Sequence, residues 1–549
     1  MQRIGILAAL LATGTVVQAA GALDELEEVV VHGRGERLIG TATAASEGAV
    51  AGADLAVRPL LRVAELLEAV PGMIAVQHSG SGKANQYFLR GFNLDHGTDF
   101  TTLIDDVPMN LRTHGHGQGY LDVNGLMPET VERIDVRKGP YRADLGDNAL
   151  AGAALIRTVS RFERPFAAFE AGSFGWLRAA GGGTTSLGAG ELSLAGQWKT
   201  YDGPWELPED LRHFSAFLKY SAPTAFGSLE ASLMSYDAKW RPTEQIPERA
   251  IGTAICADAF CALDDTATGQ TARHIATVRL TGDDWHSTVY GQYYDWDMFS
   301  DATYAYQIRQ WDERYTLGGL VQKQYDAGDA LAFTVGAETR YDHIRNVRVD
   351  HTVERELVGA LGAHRAREVS LAAHAEAQWT PLPRLRLTAG LRADWYDFHT
   401  RARVAEFLDP EDDGATVPAL QGDADDTTAS PKLAAAWQAS DTLELYANWG
   451  RGFHSNDARG VTASPTPVPG LVTGTGAEVG ARWQVGTFSL TATLWMLDVD
   501  SELKFVGDSN SVEPGAASRR RGYELVGFWR PLPGLAIDAT WTGTARSPR

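Results

Sequence analysis

From Phe166 onward, apolar and polar residues trade places at every second position. The clearest run puts Leu385, Leu387, Ala389, Leu391, Ala393 and Trp395 on one face and Arg386, Thr388, Arg392, Asp394 and Tyr396 on the other. Successive side chains of a strand point to opposite faces, so the pattern predicts strands with one apolar and one polar face. Leu443, Leu445, Ala447 and Trp449 repeat it, as do Leu535, Ile537, Ala539 and Trp541. Short turns built on Pro-Leu-Pro, at 380–384 and 530–534, alternate with long polar stretches such as 237–273 and 401–428. Short turns on one side, long loops on the other and tryptophans closing the apolar faces describe an antiparallel transmembrane β-barrel over residues 165–549. A soluble sandwich or propeller would need neither feature.

Ahead of the barrel the pattern is different. In 62–70, RVAELLEAV, the residues Val63, Leu66, Leu67 and Val70 fall at helical spacing, and Pro71-Gly72 stops them. The segments 73–76, 86–92, 100–105 and 131–137 are short, β-rich and joined by polar or glycine-rich connections. Together they predict a small mixed α/β domain over 53–160. It is preceded by a Gly, Ala, Thr and Ser-rich stretch expected to be a flexible linker. The first residues carry Arg3, an apolar run from Ile4 to Val17 and small residues up to Ala22, the make-up of a cleaved signal peptide spanning 1–22.

A mean hydropathy of -0.21 would suit a soluble chain, but alternation along membrane strands averages to such a value. The 15 tryptophans and 57 glycines fit aromatic girdles and barrel turns. A net charge of -21 argues against a nucleic-acid partner, which needs a basic surface. Cys256 and Cys261 are the two cysteines and bound the loop CADAFC. In an exported protein they are expected to form a disulfide, with two free thiols as the alternative; two cysteines would leave a metal's shell half empty. The chain contains no Gly-x-Ser-x-Gly elbow, His-Glu-x-x-His or phosphate loop of the GKS or GKT kind. It is therefore read as a protein without enzymatic activity or resident cofactor.

The blocks Leu89-Arg-Gly-Phe92, Leu103-Ile-Asp-Asp-Val-Pro108 and Val131-Glu-Arg-Ile-Asp-Val-Arg-Lys-Gly-Pro140 follow one another in a way that resembles the plug domain of TonB-dependent outer-membrane transporters. The resemblance covers most of the chain and is most specific between Val70 and Val159. It implies a plug inside a barrel of about 22 strands, in the outer membrane of a Gram-negative bacterium. Residues 166–549 are short for that number, and the chain ends WTGTARSPR rather than on a terminal aromatic. A barrel lacking its last four to six strands, about that many by length, is expected.

The resemblance also implies partners and sites. Within 23–52, Glu28, Val29, Val30 and Val31 resemble the TonB box, a strand that pairs with TonB in the periplasm. The other partners implied are outer-membrane lipid and a small-molecule or metal-chelate substrate, taken up by a monomer. If the loop 77–86 faces outward, strand 87–92 runs inward, 93–98 turns at the periplasmic side, 100–106 climbs back and 111–120 faces outward again. Members that carry cobalamin are similar across this region, and their outward loops touch substrate. Carried over, the binding positions are Gln77, His78, Ser79, Lys83, Asn85, Arg112, His114, His116, Gln118 and Tyr120. His78, His114 and His116 are candidate metal ligands, since neutral imidazole ligates zinc, copper, nickel and iron. His96 is expected at the opposite end. Arg90, Gly91, Arg133, Arg137 and Lys138 are expected to be scaffold, paired with Glu129, Glu132, Asp135 and barrel carboxylates.

The expected function is energy-coupled import of a scarce substrate: ferric siderophore, cobalamin or metal chelate. A passive porin would need neither plug nor TonB box, and a signalling receptor usually carries a folded domain ahead of the box.

Overall fold

The computed structural model describes residues 33–548, apart from 63, 303, 305, 410–413, 503, 507–510 and 514. The expected leader and the Glu28–Val31 segment lie outside the described residues.

One antiparallel sheet of 17 strands runs in chain order from Phe166–Ala171 to Leu535–Pro548, each strand paired with the next strand of the sheet. The alternation read from the sequence is the face pattern observed. On strand Leu385–Ala402, Leu391 is 54% exposed on the outer surface while its neighbour Arg392 is 3% exposed. Trp379, Leu433, Trp437, Trp449, Leu494 and Trp529 join Leu391 among the exposed apolar side chains. Such an outer face belongs in lipid. The Pro-Leu-Pro segments make tight turns, with Leu382 opposite Leu385 and Leu532 opposite Leu535. Strand Glu356–Leu382 has 27 residues, about 90 Å at a rise of about 3.3 Å per residue, where about ten would cross a bilayer. The barrel wall therefore projects well beyond the membrane at its long-loop end.

Inside lies the plug. Its five-stranded sheet has the order Gly48–Ala51, Val131–Lys138, Gly152–Thr158, Phe100–Ile104, Val107–Pro108, with the third and fourth strands parallel. Val50, Leu67, Tyr87, Phe100, Ile134, Val136 and Ile156 form its core, which is continuous with Ile275, Tyr290, Trp495 and Leu497 of the barrel. Burying each such side chain contributes roughly 1.5–3 kcal/mol.

Three expectations change. The stretch expected as linker carries the first plug strand, because Gly48–Ala51 pairs with Val131–Lys138 through four registered positions. The helix expected over 62–70 is a 3₁₀ segment, Glu65–Ala69, which still buries Leu66 and Leu67 before Pro71-Gly72 ends it. The plug connectivity differs most. The chain reverses at Arg90-Gly91, where both residues have positive φ (51° and 71°) and Gln86–Leu89 folds back on Phe92–Asn93. A second two-residue hairpin, at Asp105-Asp106 (φ 46° and 70°), turns Phe100–Ile104 into Val107–Pro108. Segment 93–98 thus returns to the outward loops, and Phe100–Ile104 leads away from them.

Candidate functional site: the plug apex

The apex is built from the two outward loops of the plug and from segment 93–98. The Asn110 amide ties them together, donating to the carbonyls of Gly97 (3.0 Å), Phe100 (3.0 Å) and Gly119 (3.3 Å). Thr98 Oγ1 donates to the Gln118 carbonyl at 2.9 Å. Tyr120 stands at the centre, its hydroxyl accepting from the Ala84 amide at 2.9 Å. His114 stacks on its ring at 3.9 Å, and the rings of His96, His116 and Trp296 surround it at 5.6, 5.9 and 5.9 Å.

The sequence-predicted residues are therefore gathered, but not as solvated tips. Ser79, Lys83, Asn85, Arg112, His114, His116, Gln118 and Tyr120 are buried, and Gln77 and His78 are half-buried. The cover is the loop following strand Leu443–Ser455, which folds into the lumen. In that loop the Ala458 amide donates to Thr113 Oγ1 at 2.7 Å, the Asp457 amide to Gln118 Oε1 at 3.3 Å, and Arg459 to the His114 carbonyl at 2.6 Å. Just before it, His454 Nδ1 meets Asp99 at 2.7 Å and Ser455 Oγ donates to Asp147 at 2.7 Å. Arg112 faces the wall: it donates to Asp147 at 2.9 Å, Ser370 at 2.9 Å and Tyr396 at 3.0 Å, and lies over the Tyr396 ring. Gln77 donates to Ser81, and the Ser79 carbonyl accepts from Trp240 Nε1 at 3.0 Å.

The histidine trio expected as metal ligands is not assembled, and among the described residues no three His, Cys, Asp or Glu side chains converge on one point. His114 is turned away from such a role. Its Nδ1 accepts from the His116 amide at 3.1 Å, so Nε2 carries the proton, buried and without a partner among the described residues. His96, expected at the far end, instead joins the apex: its Nε2 lies 2.9 Å from His116 Nε2, and its ring 5.0 Å from that of His78. The physical reason is the reversal at Arg90-Gly91. Burial holds both His96 and His114 neutral, well below the usual histidine range, reinforced at His96 by the field of His116 and Lys83 and at His114 by that of Arg314.

At the short-turn end the plug is fastened by charge. Arg90 faces Glu478 at 3.4 Å and Glu524 at 3.6 Å and lies over Trp495. Lys138 pairs with Glu524 and also donates to the Pro71 carbonyl at 2.6 Å, while Ser46 Oγ donates to Glu478 at 2.9 Å. The remaining scaffold residues pair more openly: Arg133 with Asp135 and Glu36, each at 2.6 Å, and Arg137 with Asp144 at 2.8 Å.

Residues 41–153 match the model of the TonB-dependent receptor plug domain, and residues 165–548 match that of the TonB-dependent receptor-like β-barrel. The chain belongs to the TonB-dependent receptor family. Like other receptors of the family, it resides in the outer membrane of a Gram-negative bacterium. It is 32% identical over 96 residues to the vitamin B12 transporter BtuB of Vibrio vulnificus (strain CMCP6), a match covering 18% of this receptor and 14% of that protein's length. Among solved structures it shares its fold with the copper transporter OprC (TM-score 0.72, 17% identity, 92% of this chain and 80% of that one). The ferric citrate transporter FecA in its unliganded form superposes with a TM-score of 0.74 at 15% identity, over 92% of this chain and 79% of that one. The ferric yersiniabactin uptake receptor FyuA from Yersinia pestis gives 0.69 at 15% identity, over 92% and 79%.

Several apex residues escape a reading of the sequence. Trp296, Gln310, Asp312, Arg314, Asp457 and Arg459 reach the apex from three separate barrel segments. The alternation marks Trp296, Gln310, Asp312 and Arg314 as inward, but nothing in the sequence says at which height each strand meets the plug.

The outer loop behind strand Gly227–Trp240 is closed by a disulfide between Cys256 and Cys261, with Cα atoms 5.5 Å apart.

Proposed function

We propose that this receptor imports a scarce substrate into the periplasm by TonB-coupled rearrangement of its plug, the substrate being a ferric siderophore, cobalamin or a metal chelate. The observation that carries the reading is the occupied lumen. A plug whose core is continuous with the barrel, pinned by Arg90 and Lys138 and roofed by the 456–470 loop, leaves no reason to read a passive pore. Something must bind at the apex, and something must then move the plug. Binding that favoured neither plug arrangement would shift nothing, so the apex contacts must differ between closed and open states. The second input is assigned to TonB, pairing as an added strand with Glu28–Val31. The substrate range follows the relatives, which carry vitamin B12, copper and ferric chelates by their descriptions.

The test is uptake in cells carrying or lacking the full-length gene, supplied with radiolabelled cobalamin and with iron, copper, nickel and zinc sources. One of these is expected to accumulate only with the gene present, and to stop when the proton-motive force is collapsed. Accumulation of all of them regardless of energy would contradict the proposal and favour the porin.

A further inference from the structure

The outer wall of the barrel is not smooth. Between strands Glu356–Leu382 and Ser518–Leu532 it carries an open groove of about 920 Å³, bordered by Trp379, Leu433, Trp449 and Leu494. Its floor is low because Ala435 and Ala447 pair at outward positions, where the rows on either side pair Leu433 with Trp449 and Trp437 with Leu445. One end of the groove carries a charge. Register leads along its upper row from Trp449 to Ala477, from Ala477 to Met496 and from Met496 to Arg521. Arg521 is exposed and has neither a hydrogen bond nor an ion pair among the described residues. Its neighbours in sequence are engaged, Arg519 with Asp498 at 2.5 Å and Arg520 with Glu502. The one carboxylate among the described lining residues, Glu478, is turned into the lumen against Arg90 and Ser46.

From Leu532 at the short turn to Arg521 the strand runs about 36 Å, and at a tilt of about 45° it climbs about 25 Å, the height of the apolar band of an outer-membrane barrel. Arg521 therefore stands at the outer edge of the lipid, with the exposed ring of Tyr523 one outward position below it as an interfacial aromatic. We infer that the groove is a binding site for one phosphorylated lipid of the outer leaflet, with an acyl chain lying along Trp449 and Leu494 and the phosphate on Arg521. At that height the phosphate belongs to the acylated glycolipid of the outer leaflet, whose anchor is lipid A. The inference does not depend on the import reading.

Charge and shape point to the same occupant. An arginine facing lipid is unfavourable unless its charge reaches the interface or meets an anion. A guanidinium presents a planar fork of donors that a phosphate accepts in pairs, and the donors of Arg521 are not taken by any described residue. The apolar groove beside it receives the chain attached to that phosphate, so one lipid is held by both ends rather than exchanging freely with the leaflet. A second copy of the chain seated face to face is a poorer occupant. It would bury Arg521 against a matching lining that brings no outward carboxylate, leaving the charge unpaired.

The test is native mass spectrometry of the full-length protein. Taken from outer membranes into mild detergent, it is expected to carry one lipid A anchor per chain. Stripped of lipid and titrated, it should bind lipid A about tenfold more tightly than the dephosphorylated form. Arg521→Ala removes the charge and Ala447→Trp fills the floor, and each is expected to weaken binding of lipid A by about tenfold. Arg367→Ala, which alters another arginine of the outer wall, one paired with Asp397, should leave binding unchanged. If a variant loses the heat-modifiable mobility of a folded barrel, the two forms of lipid A compared on the wild type still decide. Phosphatidylglycerol carried in place of lipid A, equal affinity for the dephosphorylated form, binding that survives both substitutions, or a dimer without lipid would each overturn the inference.

Discussion

At the short-turn end the plug meets the barrel through full charges, Arg90 and Lys138 against Glu478 and Glu524; at the apex it meets it through imidazoles, aromatic rings and an infolded loop. Both regions are buried, yet they are built to yield to different agents. Desolvated charge pairs are costly to form and costlier to leave half-made, so they hold one arrangement of the plug until both partners are moved together. The contacts by which the 456–470 loop covers the apex are single hydrogen bonds, each worth about 0.5–1.5 kcal/mol, which a ligand can replace one by one. On the proposed reading, in which cargo is sensed on one side and a pull arrives from the other, the contacts a ligand can replace stand at the apex and the charged contacts at the fastening.

The largest effect should come from breaking the charged end. Glu524→Ala leaves Lys138 buried without its carboxylate and Arg90 with Glu478 alone, which should destabilise plug docking by about 3–5 kcal/mol. Protease cleavage of the plug and single-channel conductance should both rise. If Glu524→Ala is as protected as the wild type, the fastening account fails. At the other end, Arg459→Ala removes the donor to the His114 carbonyl and the guanidinium beside Asp457, a loss of about 1–3 kcal/mol. Amide exchange in 456–470 should quicken while the plug sheet stays protected. Exchange that quickens equally in Val131–Lys138 would mean that the two regions are not separate. Smaller again, Tyr120→Phe deletes the hydroxyl that accepts from Ala84, costing about 1 kcal/mol by thermal denaturation, with no change in plug proteolysis. The Cys256–Cys261 bridge makes none of the contacts named in either region, so Cys256→Ser should alter neither measurement.

Much of the frame was legible before any coordinates. The two-residue alternation around Leu385–Tyr396 gives the barrel wall because lipid and lumen impose opposite demands on adjacent side chains. The scaffold role of Arg90 and Lys138 followed from their being charges on plug strands that needed lumenal partners. What failed was local: the reversal was assigned to 93–98, where polar residues cluster, instead of Arg90-Gly91, a two-residue turn needing two left-handed residues. A non-glycine residue in that conformation is uncommon, so the sequence favoured the wrong site. That one displacement carried His96 to the wrong end. The burial of the apex was illegible for another reason. It depends on where a loop some 340 residues later comes to rest, as the Thr113–Ala458 contact does with its separation of 345.

The central claim is that the plug opens because TonB pulls on it, and Val30, outside the described residues, gives the most direct test. Val30→Pro removes a backbone donor from the expected pairing strand and leaves the apex and fastening residues named above unaltered in sequence. Binding of the transported substrate to whole cells and its uptake should be measured side by side in the variant and the wild type. Binding retained with uptake abolished is the predicted result; uptake at the wild-type rate would contradict it.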